Sequence, residues 1–199
     1  MTYKIGLLAA HGTGKTALAH LVAGALKKKG FRVRVLPEVA TEAIETGKKI
    51  NENTTLLDQT WILLKQALYE VEAELAKYDV VICDRTVHDN YCYLARACGE
   101  NASLLSFVLG HASEHPYTVL YYLPILQPPR ADGVRALSDS FQKEIATRIR
   151  LFLETHRVPH AVLPEPDASD GEREAWVQRI VTDTIHTLGK KELQTNLVP

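Results

Sequence analysis

The octapeptide AAHGTGKT, at residues 9–16, joins an apolar segment that begins at Tyr3 to a helical pattern that runs on from Ala17. Its two glycines, Gly12 and Gly14, lack a Cβ, so the backbone can fold closely around an anion. A glycine-containing turn between a strand and a helix, ending in Lys-Thr, is typical of loops whose N–H groups cradle phosphate oxygens. We therefore predict a phosphate-binding loop in a sheet of parallel strands.

This loop carries the groups that bind a nucleoside triphosphate and its magnesium ion. Lys15 would reach the β- and γ-phosphates, and the Thr16 hydroxyl would hold Mg²⁺. The helix that follows would direct its positive N-terminal dipole at the anion. Ala9 replaces the first glycine of the pattern, and alanine is small enough for the end of a strand. The predicted nucleotide-binding residues are His11 (through its backbone alone), Gly12, Thr13, Gly14, Lys15, Thr16 and Ala17.

Length and composition limit the class of protein. With 199 residues and a formal charge of -1, the chain suits one domain and has no basic surplus to favour nucleic acid. We expect neither export nor membrane insertion, since no long apolar segment or signal sequence is seen, and we predict a cytoplasmic protein. Cys83, Cys92 and Cys98 lack the spacing of a zinc or redox motif, and we expect buried, reduced thiols.

Strand and helix patterns alternate along the chain. This order predicts an α/β three-layer sandwich of the P-loop NTPase type, with a five-stranded parallel sheet and helices on both faces. Residues 1–188 would form one domain and residues 189–199 a polar tail. The predicted strands are 3–9, 31–36, 78–84, 117–123 and 159–163; the predicted helices are 15–29, 39–46, 54–77, one ending at 98, 101–111, 139–155 and 171–188.

The longest predicted helix, residues 54–77, carries an apolar row that we expect to contact the core. Gln59 and Gln66 lie among these residues, and we expect them at the surface. The alternative is that they face the crevice and hydrogen-bond a base or an amide of a ligand. The row consists of Leu57, Trp61, Leu64, Leu68, Val71 and Leu75.

Two carboxylates follow predicted strands and therefore face the same crevice as the phosphate loop. Asp84 ends the apolar run VVIC and would bind Mg²⁺ together with Thr16. Glu38 follows Pro37 and could take the proton of an acceptor hydroxyl. Either carboxylate could be the base; we favour Glu38, because Asp84 would be engaged with the metal. The structural alternatives are a helix-terminal acid at Glu38, an ion pair at Arg85 and a cap or ion pair at Asp89.

A loop at about residues 124–137 has prolines, a glycine and two arginines. Loops of this length at the carboxyl edge of a sheet are often lids. As a lid, it would bring Arg130 and Arg135 to the charge on a transferred phosphoryl group and exclude water. The alternative is a pair of solvated loop charges.

The order of these segments resembles the ribosylnicotinamide-kinase-like branch of P-loop kinases, which is similar to deoxynucleoside and thymidylate kinases. The matching segments are AHGTGKT at 10–16, PEVA at 37–40, Gln66, Asp84-Arg85 and DGVR at 132–135. The resemblance implies that Glu38 contacts the acceptor hydroxyl, that Asp84 and Arg85 lie near metal and phosphates, and that Asp132 stabilises substrate or lid. The implied catalytic residues are Lys15, Glu38, Asp84, Arg85, Arg130 and Arg135, and the implied substrate residues are Glu38, Gln66, Arg85, Asp89 and Asp132.

These observations favour a kinase that uses Mg²⁺ and ATP, with GTP as the alternative donor, and a nucleoside, nucleotide or nucleoside-like small molecule as acceptor. No adenylyltransferase domain accompanies the predicted kinase domain, so the acceptor stays open. Two other functions fit the loop: an NTP-dependent switch or ATPase acting with a protein partner, and a polynucleotide or RNA kinase. The oligomeric state also stays open.

Overall fold

A computed structural model describes residues 2–50, 54–125, 139–165 and 172–195, with the backbone alone for 172 and 190–195. Five parallel strands form one sheet in the order β2-β3-β1-β4-β5. The predicted fold class is therefore confirmed. The strands are β1 Tyr3–Leu8, β2 Val33–Leu36, β3 Val80–Cys83, β4 Val119–Tyr122 and β5 Ala161–Val162.

Helices cover both faces of this sheet. One layer packs α1 and α7 on the sheet, and the other contains α3, α4, α5 and α6. The helices are α1 Lys15–Lys28, α2 Val39–Glu45, α3 Leu56–Leu75, α4 Val87–Cys98, α5 Ala102–Glu114, α6 Asp139–Thr155 and α7 Glu172–Thr195.

The burial of the strands agrees with their positions in the sheet. All four residues of β3 are buried, as expected of an inner parallel strand, and β2 lies at the edge of the sheet with Arg34 exposed. The last helix continues beyond its predicted end at Leu188, since Gly189 is followed by good helix formers, and one helical glycine costs only about 1 kcal/mol.

The expectation that the apolar row of α3 contacts the core was wrong for its leucines, although Trp61 packs against the buried cluster of Val39, Ala43 and Ile62. Its four leucines are exposed, whereas the opposite face of the helix is buried. That buried face includes Ile62 and Leu63 and also both glutamines that we expected at the surface, Gln59 and Gln66. Helical periodicity identifies an apolar face but does not specify which face meets the sheet.

A buried polar network fixes the inner face of α3. Glu70, fully buried, accepts hydrogen bonds from Lys4 of β1 (3.3 Å), Gln66 (3.0 Å) and Tyr117 (2.6 Å). Burial alone would raise the pKa of Glu70, but these donors and His111 lower it below its ordinary value. The charge is therefore compensated, and the network holds α3 in a fixed orientation beside the sheet.

The structure also shows the exposure of the three cysteines and the character of the helices. Cys83 and Cys92 are buried, but Cys98, the last residue of α4, is exposed, so the expectation of three buried thiols was wrong. Among the helices that the structure describes, none combines the length and apolar character needed to cross a membrane.

Candidate functional site

The phosphate loop has the backbone conformation that its glycines predicted. Gly12 and Gly14 have φ angles of 75° and 82°, in the left-handed region that side chains rarely adopt. Gly14 is the N-cap of α1 and, having no side chain, makes no side-chain capping bond there. The first N–H groups of α1 thus suit an anion, which the helix dipole would also favour.

Lys15 lies within the loop that it is predicted to serve. Its ammonium group donates to the carbonyl oxygens of Ala9 at 3.0 Å and Ala10 at 2.8 Å, and the side chain is buried. Burial, together with the nearby positive charge of Arg85, lowers the pKa of Lys15 to about 8. The folded chain therefore holds a poorly solvated cation where an anion would be stabilised.

Asp84 and Thr16 come together at the neighbouring strand end. Burial raises the pKa of Asp84 to about 6, against the opposing effects of Lys15 and a hydrogen bond with Thr16. In the described part of the chain, Asp84 Oδ1 is buried and has no hydrogen-bond partner. The Asp84 carboxylate, with its unpaired buried oxygen, and the Thr16 hydroxyl are oxygen ligands of the kind that Mg²⁺ prefers.

Glu38 and Arg85 form an ion pair across the ends of β2 and β3. Both the Nε and Nη2 atoms of Arg85 lie 2.7 Å from Glu38 Oε1. Burial would lower the pKa of the Arg85 guanidinium, but the Glu38 carboxylate raises it well above its ordinary value. Glu38 occupies the N-cap position of α2 without a side-chain capping bond. Its carboxylate is thus directed at the guanidinium and not at the helix end.

Asp89 combines a capping bond with an ion pair, the arrangement expected from its position. It caps α4 reciprocally with Thr86, whose N–H donates to Asp89 Oδ1 at 2.6 Å. Its second oxygen, Oδ2, lies 3.6 Å from Arg85 Nη1. Burial raises the pKa of Asp89 despite the positive charge of Arg85. The structure therefore brings Asp89 to the site as a partner of Arg85.

Gln66 lies beneath the same arginine. Its Nε2 donates to the carbonyl oxygen of Arg85 at 2.9 Å as well as to Glu70, and its Oε1 has no hydrogen-bond partner in the described ranges. The amide thus links the buried network of α3 to the backbone that carries Arg85. Its predicted contact with substrate stays a prediction.

The expectation that His11 acts through its backbone alone was wrong. Its ring is buried and packs on Phe141 of α6, with ring centroids 5.2 Å apart. Its N–H donates to the Tyr93 hydroxyl at 2.9 Å, and its carbonyl accepts from Gln142 at 2.7 Å. Neighbouring helices therefore hold the start of the loop, and this N–H is engaged by the protein.

Sequence reasoning missed two residues that lie at the loop. The Arg85 guanidinium lies 4.4 Å from the centre of the Tyr93 ring, and Tyr93 also contacts His11. Arg173, in the first turn of α7, lies against the loop from the other side: a Cβ placed on Gly14 would be 2.7 Å from its Nη2 atom. Tyr93 could have been found from the sequence, because it lies in the segment that follows Asp84-Arg85. Arg173 could not, because it follows the loop by more than 150 residues.

The predicted lid residues Arg130, Asp132 and Arg135 lie outside the described residues. The described loop residues line a cavity of about 180 Å³ together with Glu38 and Arg85. A second cavity of about 280 Å³ is lined by Thr16, His20, Val35, Pro37, Glu38, Thr41 and Asp84. Glu38 and Thr16 line both cavities, so the carboxylate stands between the phosphate cradle and a second space.

Solved structures share this fold at low sequence identity. A NadR protein in complex with NAD and AMP-PNP superposes with a TM-score of 0.67 at 14% identity, over 94% of this chain and 49% of the other. The chain thus spans about half the length of that protein. Thymidylate kinase from Ehrlichia chaffeensis gives a TM-score of 0.63 at 14% identity, over 92% and 98% of the two chains. Deoxyadenosine kinase from M. mycoides gives 0.56 at 14% identity, over 90% and 97%.

At the level of sequence, no curated protein matches the chain significantly. A family model described as an AAA domain does match, over residues 4–173, which is most of the chain. The predicted resemblance to P-loop kinases is confirmed by the kinases among the structural neighbours. The chain is therefore a member of this AAA-domain family, a P-loop protein with the fold of nucleoside and nucleotide kinases.

Proposed function

We propose that the protein is a magnesium-dependent phosphotransferase that moves the γ-phosphate of ATP to a hydroxyl or phosphate of a nucleoside, nucleotide or nucleoside-like small molecule. The position of Glu38 carries this proposal. Its carboxylate is held by Arg85 at 2.7 Å and lines both the phosphate cradle and the adjoining cavity. A base in that position can orient an acceptor hydroxyl toward the γ-phosphate and accept its proton.

The remaining groups support transfer to an acceptor. Lys15, Arg85 and the N-terminus of α1 would stabilise the charge that spreads over the transferred phosphoryl group. Thr16 and Asp84 would hold the magnesium ion, which when bound would neutralise negative charge on the phosphates. Tyr93 and Gln66 keep Arg85 in place from its two sides.

A product assay with an acceptor panel tests the proposal. The purified chain is incubated with Mg²⁺ and γ-labelled ATP, or GTP in parallel, and with nucleosides, nucleotides, nucleoside-like pyridine ribosides and RNA or DNA oligonucleotides. We expect label to move to at least one small acceptor, and Lys15→Ala to serve as the inactive control. Hydrolysis that no acceptor changes would contradict the proposal and favour an ATPase; label on oligonucleotides alone would favour a polynucleotide kinase.

Arg173 should contribute to nucleotide affinity. Its exposed guanidinium lies against Gly14, and the described residues offer it no ion-pair partner. We expect Arg173→Ala to raise the Kd for ATP by about three- to tenfold, an effect that salt should weaken, as for a charge at the rim of a site. Titration calorimetry at two salt concentrations measures this. Arg179→Ala is the matched control, because that side chain faces Asp183 on the same helix; equal effects of the two variants would exclude a specific role.

A further inference from the structure

A third cavity, of about 330 Å³, lies between α4 and α6 and apart from the phosphate loop. Phe152, which lines it, follows Gln142, which contacts the loop, by ten residues, or about 15 Å of helix. The volume is at the lower end of the range of small-molecule sites, about 300–1,000 Å³. The proposed phosphoryl transfer uses no residue of this cavity, so the cavity is a candidate for a second, small ligand.

The inner wall of this cavity is apolar and largely aromatic. Phe152 and Tyr91 are buried, with ring centroids 5.8 Å apart, and the ring of His156 packs on Phe152 at 4.6 Å. Cys92 is also buried, and burial raises the pKa of its thiol, which therefore stays neutral and adds apolar surface. Such a wall suits an apolar or aromatic side chain of a ligand.

Two groups of opposite charge also line the cavity, Glu100 and Arg148. The Tyr91 hydroxyl donates to Glu100 at 2.7 Å, and burial together with this bond raises the pKa of Tyr91 to about 12. Arg148 donates from Nε to Glu144 at 3.2 Å, which uses one of its five N–H groups. Within the described ranges Glu100 and Arg148 form no ion pair with each other, so both are available to a ligand.

We propose that this cavity is a regulatory site for a small zwitterion with an apolar side chain, the chemistry of a free amino acid. The ligand carboxylate would bind the guanidinium of Arg148, whose planar fork matches its geometry. The ligand ammonium would bind Glu100, and the side chain would lie against Phe152. A nucleotide fits less well, because its phosphates would meet the negative charge of Glu100.

The two helices that form the cavity also hold the start of the phosphate loop. On α4, the Tyr93 hydroxyl accepts from the N–H of His11 at 2.9 Å. On α6, Gln142 donates to the carbonyl oxygen of His11 at 2.7 Å. A ligand that fixes α4 against α6 would therefore also order the loop.

A continuous set of contacts connects the cavity to this end of the loop. Glu144 accepts from Arg148 at 3.2 Å and, with its other oxygen, from Arg96 of α4 at 3.3 Å. The Arg96 guanidinium lies 4.6 Å from the centre of the Phe141 ring, which packs on the ring of His11. Binding of a carboxylate at Arg148 would thus act on contacts that end at the loop, and a more ordered loop costs less to bind an anion.

NMR titration of the full chain without nucleotide tests the site, so the outcome does not depend on kinase activity. L-Phenylalanine should bind with a Kd below about 1 mM. Phenethylamine lacks the carboxylate and 3-phenylpropionate lacks the ammonium, so each should bind about tenfold more weakly or worse. No saturable binding of L-phenylalanine, or equal affinities for the three compounds, would overturn the proposal.

Two variants test the assigned contacts. Arg148→Met should weaken L-phenylalanine binding by about tenfold or more but should not weaken phenethylamine binding. Glu100→Gln should weaken L-phenylalanine binding similarly but should not weaken 3-phenylpropionate binding. Arg150→Met, at an exposed arginine of the same helix, is the matched control, and circular dichroism checks each fold. Losses that are the same for all three compounds would contradict the assigned contacts.

Hydrogen exchange of the loop amides, residues 9–16, tests the regulatory link. Saturating L-phenylalanine should slow their exchange by about threefold or more in the unmodified chain. The same concentration should leave the exchange unchanged in Arg148→Met, in which the ligand is largely unbound. Loop exchange that a saturating ligand does not slow would overturn the regulatory role.

Discussion

Lys15→Ala should abolish phosphoryl transfer, with kcat/KM falling by about 10²–10³-fold or more, the loss found when a single donor to a developing negative charge is removed. The Lys15 side chain is buried in the loop and held by two carbonyl oxygens, so its position is fixed before nucleotide arrives. No other lysine lines the described cavity of the loop, and a water in its place could not supply the positive charge. Steady-state kinetics with the best acceptor of the panel measures the loss.

The same substitution should change the stability of the folded chain little. Burial lowers the pKa of Lys15 from 10.5 to about 8, which means that the folded state without nucleotide disfavours the ammonium by about 3 kcal/mol. Loss of that charge offsets the loss of the packed side-chain methylenes and of the hydrogen bonds to Ala9 and Ala10. Urea unfolding of both proteins without nucleotide is the check, with the exposed Lys27→Ala as control. A large fall in the free energy of unfolding would mean that Lys15 stabilises the loop itself and that the kinetic loss is not specific.

The architecture could be predicted from the sequence because local signals and their order were sufficient. Gly12 and Gly14 need left-handed backbone, and the apolar run before Asp84 could only be a buried strand. In a parallel sheet, strand ends share one edge, so Glu38 and Asp84 were expected near the loop before any contact was known. The structure places both of them there.

The orientation of α3 could not be predicted in the same way. Its sequence has two apolar faces, and the longer row that includes Leu57 and Leu68 turned out to be the exposed one. The buried face includes Gln66 and Glu70, polar residues that are stable there only because Lys4 and Tyr117, distant in sequence, complete their hydrogen bonds. No window of local sequence contains those partners.

The contacts that α6 and α7 make with the loop could not be predicted from the sequence for the same reason. His11 was expected to contribute only backbone, yet Phe141 and Gln142 of α6 pack on it and bind its carbonyl. Arg173 reaches Gly14 from the last helix. Both contacts join segments that are far apart in the sequence and meet because their helices pack on the same sheet. The positions of two helices relative to each other depend on the packing of the whole core, which no short motif specifies.

Glu38→Gln should separate catalysis from nucleotide binding. Glutamine keeps the size of the side chain and an oxygen that can accept from Arg85, but it has no charge and cannot take a proton. We expect kcat to fall by about 10²–10⁴-fold, the usual contribution of a positioned base. The Kd for ATP should change by less than about threefold, because the groups that cradle the phosphates are the loop, Lys15 and α1.

Rapid-quench measurement of transfer and calorimetric measurement of ATP affinity separate the two effects. Glu45→Gln, at the exposed end of the same helix α2, controls for the general loss of one negative charge. In the variant, Arg85 retains Asp89 at 3.6 Å, so its guanidinium keeps a charged partner and a collapse of the site is not expected. Equal losses in kcat and affinity would assign Glu38 a structural role as the partner of Arg85. An unchanged kcat would transfer the role of base to Asp84, the other carboxylate that lines the second cavity.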